Sequence, residues 1–272
     1  MTMKTFLSAG VLAGLAASSA FGAIAYPVAG GSYAQNFDGL ASTGTPTFTN
    51  DVTVPGWSAF RSGIAGTSGS RDGTPTAVTS YVAGTGSSSS GALYSFGTGT
   101  DRSFGTVGSG GATAGEYVLG LVLENTTGTT LTSFTLEFRS EQWRNGGGTN
   151  PTQSAIFDFR TFASSPVLAD VTATNTAGYT AGGAAFDLVN TVSGGTGGAI
   201  DGNVAGLDIQ GGSLPVSWAP GSFLVLRWWD DNHASTDHGL SIDDVTFSAV
   251  PTPGSVALLA VGGLVAARRR RN

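Results

Sequence analysis

Both histidines of the chain and five of its eighteen acidic residues stand in one stretch, Arg227 to Asp244, which reads RWWDDNHASTDHGLSIDD. Asp230, Asp231, Asn232, Asp237 and the Asp243-Asp244 pair put hard oxygen ligands in one neighbourhood, a donor set suited to Ca2+. Their spacing is not that of an EF-hand loop. Zinc suits the stretch less well, because the chain has no cysteine and only His233 and His238 as nitrogen ligands. As a general base His238 needs a nucleophile or a water in a cleft, and the sequence supplies neither. The third reading is a turn whose Asp and Asn side chains satisfy backbone groups.

A second acid pair, Glu137 and Glu141, lies four residues apart on one strand face, about 13 Å between Cα atoms at the usual rise. A bulge between them shortens that to the separation a glycosidase needs. The two glutamates resemble the pair of laminarinase-like jelly-roll hydrolases, which implies a polysaccharide-active enzyme using Glu137 and Glu141. Here Arg139 stands in the interval where that family has an Asp, and the plainer reading is an exposed polar face on which Glu137, Arg139, Glu141 and Arg144 offset one another. The glycines of GTGSSSSG are not followed by G-K-S/T, and no G-x-S-x-G elbow accompanies the serines. Trp57, Trp143, Trp218, Trp228 and Trp229 are candidates either for the core or for a sugar-stacking platform, with Trp228 in the core.

The elements that position these residues are strands. Glycine is 43 of 272 residues, Asp, Glu, Lys and Arg together only 11%, and apolar residues alternate with period two between turn residues. In EYVLGLVLEN (116–125) Tyr117, Leu119, Leu121 and Leu123 share a face, and in LTSFTLEFRS (131–140) Phe134, Leu136 and Phe138 do. TTGTT between them predicts a hairpin with Gly128 in the turn. AIFDFRTFA (155–163) turns Phe157 and Phe159 inward and Asp158 and Arg160 outward, while FLVLRWWD (223–230) is apolar on both faces, as a central strand is. Weaker strands are AQNFDGL, GWSAFRS, ALYSFG, RSFGTVG and AFDLV. About ten short strands predict an all-β fold of two packed sheets in a single domain over residues 26–249. The Gly/Ser/Thr-rich pieces 83–91, 108–115 and 193–198 read as surface loops. In LSIDDVTFS, Leu240 and Ile242 share one phase and Val245 and Phe247 the other, so a β-bulge is expected at Asp243-Asp244.

The two ends read as addresses. Lys4, the apolar Ala-rich run from Phe6 and the small residues at 20–25 have the order of a secretory signal peptide over 1–25, with cleavage after Gly22 or Ala25. At the other end the apolar run 255–267 makes a helix about 20 Å long, short of the roughly 30 Å bilayer core, and Arg268, Arg269, Arg270 and Arg271 follow it. Without the ends the body has seven arginines against eighteen acids, about −11, a balance that argues against nucleic acid as partner.

Val250, Pro251, Thr252 and Pro253, the apolar run and the four arginines (250–272) resemble the PEP-CTERM sorting tail of bacterial surface proteins. The resemblance implies an exosortase-type processing enzyme as partner and an inner-membrane precursor held only by its tail. It further implies a cell-surface or extracellular destination in a Gram-negative type envelope, often one that makes exopolysaccharide. Thr252 stands where that family usually has Glu. QNFDGL, PGWSAFRSG, GALYSFGTG, SEQWRNGG and DHGLSIDDVTFS resemble a jelly-roll-like sandwich module of such surface proteins, and GLSIDDVTFS also resembles the last strand of MAM and lectin-like jelly rolls. The module implies a non-catalytic binding or structural role, extracellular polysaccharide being a candidate partner. A Ca-dependent lectin-like module is the alternative beside the hydrolase.

Overall fold

The computed structural model describes residues 22–62, 75–110, 115–148, 152–172, 176–205, 207–233 and 235–252. In chain order the strands are β1 (Ile24–Tyr26), β2 (Tyr33–Gln35), β3 (Trp57–Ser62), β4 (Pro75–Ala77), β5 (Val82–Gly84), β6 (Ala92–Phe96), β7 (Ser103–Val107) and β8 (Glu116–Asn125). They continue with β9 (Leu131–Asn145), β10 (Ser154–Phe162), β11 (Thr180–Ala181), β12 (Leu188–Val189), β13 (Gly198–Ala199), β14 (Leu207–Trp218), β15 (Phe223–Asp230) and β16 (Gly239–Val250). Two one-turn helices, α1 (Leu168–Val171) and α2 (Gly202–Ala205), lie in the connections.

The first sheet has the order β11-β10-β15-β8-β3-β4, and the second has β13-β9-β16-β7-β6-β5 with β14 also on β9 and β2 on β16. The row β7-β16-β9-β14 faces β8-β15-β10-β11, and from β7 onward the main strands cross between the sheets, except for the step from β10 to β11. That is the winding of an eight-stranded jelly roll. The expected sandwich is therefore present.

The expected hairpin is not. β8 pairs with β3 and β15, β9 with β14 and β16, and the two lie in opposite sheets. Both edges of each strand are taken, so the connection spans the two sheets as an arch. Buried Asn125 holds it: its Nδ2 donates to Thr129 O (2.9 Å) and Trp218 O (2.8 Å), and its Oδ1 accepts from Thr127 N (3.0 Å). Gly128 does sit in the turn, at φ 75°.

The inward phases are as the alternation requires. Leu119, Leu121, Leu224, Leu226, Trp228, Phe157 and Phe159 from the first sheet meet Phe134, Leu136, Phe138, Ile242, Val245 and Phe247 from the second in one core. Burial of each such side chain contributes about 1.5–3 kcal/mol, and Trp57 stacks on Trp228 with centroids 5.9 Å apart. On β16 the phase changes where it was expected to: Asp243 pairs with Arg139 and Thr246 with Glu137, so one extra residue bulges out, and Asp244 takes φ 47°.

The domain ends move slightly. Ile24 and Ala25 belong to β1, which pairs in parallel with β8, so the sandwich begins before residue 26, and β16 runs to Val250. The expected signal helix and C-terminal helix, with Pro253 and Arg268, Arg269, Arg270 and Arg271, fall outside the described residues. Among those described, no helix is long and apolar enough to cross a membrane.

Candidate functional site: an open groove on the second sheet

β16 shares one edge between two partners: β7 pairs with residues 239–242, β2 with residues 245–247. The bulge lies at the changeover. Beyond it the outward side chains form a four-strand rung, Ala34 on β2, Thr246 on β16, Glu137 on β9 and Gly211 on β14, with Ser248, Thr135 and Ser213 in the next. Four strands span about 14 Å. Here the face is open: a groove of about 920 Å3 is lined by Ala34, Gln35, Asn36, Arg139, Ile209, Asp244, Val245 and Thr246. Asp244 takes a positive φ, which Asp and Asn tolerate better than other non-glycine residues, and its exposed side chain is part of the lining.

Next to the groove the same face is closed. Glu141 is buried, and Trp143 Nε1 donates to its Oε2 at 2.8 Å. With its amide oriented to satisfy both neighbours, Asn203 of α2 donates to Glu141 Oε1 (3.3 Å) and Asp101 Oδ2 (3.2 Å). Asp243, also buried, accepts from the Asp244 N–H (2.7 Å). Burial raises Glu141, and burial with the neighbouring carboxylates of Glu141, Asp244 and Asp101 pushes Asp243 up to about 8. Arg139 leans from the groove toward this cluster, its Nε 4.0 Å from Glu141 Oε1 and its Nη2 donating to Asn203 O (3.3 Å).

Glu137 and Glu141 do share a strand face, but they occupy different surroundings. Glu137 is exposed beside the groove, whereas Glu141 is held under α2. The register shifts between β9 and β16 do not fall between the two glutamates on β9 in a way that joins them in one cleft: they pair with Thr246 and Ser241 on either side of the bulge.

The five aspartates do not converge either. Asp230, at the end of β15, turns between the sheets, where Thr106 Oγ1 donates to its Oδ2 at 2.5 Å; burial is the main cause that pushes it up to about 8, with Asp237 and Asp231 adding to it. Asp237 Oδ1 accepts from His233 N (2.8 Å), and burial pushes this carboxyl up to about 6. Asp231 and Asp237 thus stay in the 231–238 loop while Asp243 and Asp244 sit at the bulge. Among the described residues no group of three or more His, Cys, Asp or Glu side chains is placed to hold a metal ion. His238 is buried with Nδ1 accepting from Gly146 N (2.9 Å), and Gln142 Nε2 lies 3.1 Å from the same nitrogen. The Gly146 N–H on Nδ1 places the ring proton on Nε2. Burial lowers the pKa, so the ring stays neutral and ties the loop to β9.

No tryptophan forms a platform. Trp57, Trp218 and Trp228 are 0% exposed, Trp143 1% and Trp229 5%, and every indole N–H is bonded inward. The loop AGTGSSSSG is part of the cover over Trp143: Gly86 lies so close that a Cβ there would be 1.8 Å from Trp143 O, and Arg144 Nη1 donates to Gly86 O and Ser87 O. Sequence reasoning missed Gln35, Asn36, Thr246 and Ile209. The outward phase Asp244, Thr246, Ser248 pointed to a polar face but not to its being uncovered.

No family model matches the chain, and no curated protein does. Solved structures to which the chain is similar include the CBM22-1 xylan-binding domain from Paenibacillus barcinonensis Xyn10C, at 11% identity over 82% of this chain and 97% of that one, TM-score 0.37. The enzymatically active domain of bacteriophage CBA120 tailspike protein 4 matches at 12% identity over 59% of this chain and 18% of that one, TM-score 0.29. TmCBM61 in complex with beta-1,4-galactotriose matches at 8% identity over 57% and 74%, TM-score 0.25.

Proposed function

We propose that this protein is an exported, non-catalytic binding module of the cell surface or extracellular matrix that holds polysaccharide in the groove over β2, β16, β9 and β14. The observation that carries the reading is the groove itself: an open channel on a rigid sheet, with amide, guanidinium, hydroxyl and carboxylate groups beside the exposed aliphatic Ile209. Planar polar side chains recognise vicinal hydroxyls in pairs, and an aliphatic contact suits a sugar's C–H face. Thr246→Trp fills the floor from an exposed strand position that tolerates large side chains. Retention on insoluble polysaccharides should fall at least about tenfold with folding unchanged; undiminished retention would overturn the reading.

Export through the signal peptide and exosortase-type processing of the tail belong to the same proposal. Strand β1 favours cleavage after Gly22 over cleavage after Ala25, because Ile24 packs at Gly56 and pairs with Leu123. N-terminal sequencing of the exported protein should begin at Ala23. A start at Tyr26 would contradict this.

A further inference from the structure

We propose that the groove prefers glycans bearing free, protonated amino groups to neutral ones and rejects uronates, an inference that rests on the polysaccharide reading above. Charge decides it. The one cation among the lining residues is Arg139, whose Nη2 donates to the Asn203 carbonyl and whose Nε lies 4.0 Å from Glu141 Oε1, so its charge is shared with the cluster beside the groove. Two carboxylates stay open: Asp244 in the lining and Glu137 on the rung of Thr246, one strand over. Neither is hydrogen-bonded or ion-paired through its side chain among the described residues.

A ligand carboxylate or sulfate laid across this face meets two exposed like charges and a single guanidinium that already lies beside Glu141. A ligand ammonium meets two free acceptors without first breaking an ion pair. Such exposed contacts are individually small and screened by salt, so the preference is one of selectivity and salt dependence more than raw affinity. The groove also lacks the exposed ring on which a neutral sugar stacks; among the described residues the exposed large apolar side chains are Val and Ile.

The test compares three soluble oligomers of equal length by titration calorimetry at about pH 5.5, where exposed carboxylates are ionised. They are chitosan oligosaccharide, its fully N-acetylated counterpart and an oligouronate. The chitosan oligomer should bind about tenfold more tightly than the acetylated one at low salt, and the uronate more weakly than both. Asp244→Asn with Glu137→Gln, both compatible with the local backbone, should bring the preference below about twofold. Glu124→Gln, an equal charge change on β8 of the opposite sheet, should leave it intact. Equal binding of the acetylated and deacetylated oligomers, tighter binding of the uronate, or an equal loss in Glu124→Gln would overturn the proposal, the last by showing attraction to net charge alone. Binding of none of the three would instead remove the polysaccharide reading beneath it.

Discussion

The outer faces of the two sheets start from the same alternation and end differently. On the first sheet the residues facing away from the core, Phe60, Val118, Val122, Val225 and Trp229, are apolar and bury themselves under the segment after β10 through Val171. Arg227, 0% exposed, fastens that cover: its guanidinium takes both Asp158 oxygens (2.5 and 3.0 Å), donates to Thr172 O, and stacks on Tyr179 with Cζ 3.4 Å from the ring centroid. On the second sheet one half is sealed in a similar way, by the Tyr94-Phe96-Trp143 stack and α2, and the other half is bare. Period two says which side chains leave the core. What covers them is decided by segments distant in sequence, and the uncovered quarter is where a ligand can lie.

The contrast can be broken most forcefully at the cover of the first sheet. Arg227→Ala leaves Asp158 buried without its cation and should cost about 3–5 kcal/mol in denaturant unfolding. A loss below about 1 kcal/mol would mean that the segment is not held as described. Trp143→Phe keeps the ring stack but takes the indole donor from buried Glu141, and a cost of about 1–3 kcal/mol is expected.

Stability against pH gives a third handle. A carboxyl whose folded pKa lies above its unfolded one keeps a proton that the unfolded chain releases, so stability falls as pH rises between the two values. For Asp230 and Asp243 that window runs from about 4 to about 8. Asp230→Asn should therefore gain in melting temperature over the parent by more at pH 8 than near pH 4; an equal gain at both would show that Asp230 is not held protonated. The smallest effect belongs to the open face. Ile209→Ala, at a position 72% exposed, should change stability by less than about 0.5 kcal/mol while weakening polysaccharide retention.

The sandwich, the inward phases of β8, β9, β10, β15 and β16, and the bulge at Asp243-Asp244 were legible because each rests on local periodicity, down to the phase break between Ile242 and Val245. The pairing of β8 was not. TTGTT joins neighbouring strands equally well as a hairpin or as an arch, and what separates the two is Asn125 reaching Trp218, over ninety residues away. Asp158 does face away from the core, as its phase requires, but its burial was not legible, since that depends on Arg227 and on the cover. Crowding of acids in sequence also misled: Asp230 and Asp244 are separated by a loop and a change of sheet, so proximity along the chain did not become a shared site. Trp143 and Trp229 gave no sign of which outer faces would be covered.

The most direct test of the central claim is an NMR titration of the isotope-labelled protein with the soluble oligosaccharide it retains best. Amide shifts are expected at residues 34–36, 139, 209 and 244–246. Shifts confined to the 231–238 loop, or to the covered face around Val171 and Tyr179, would contradict it.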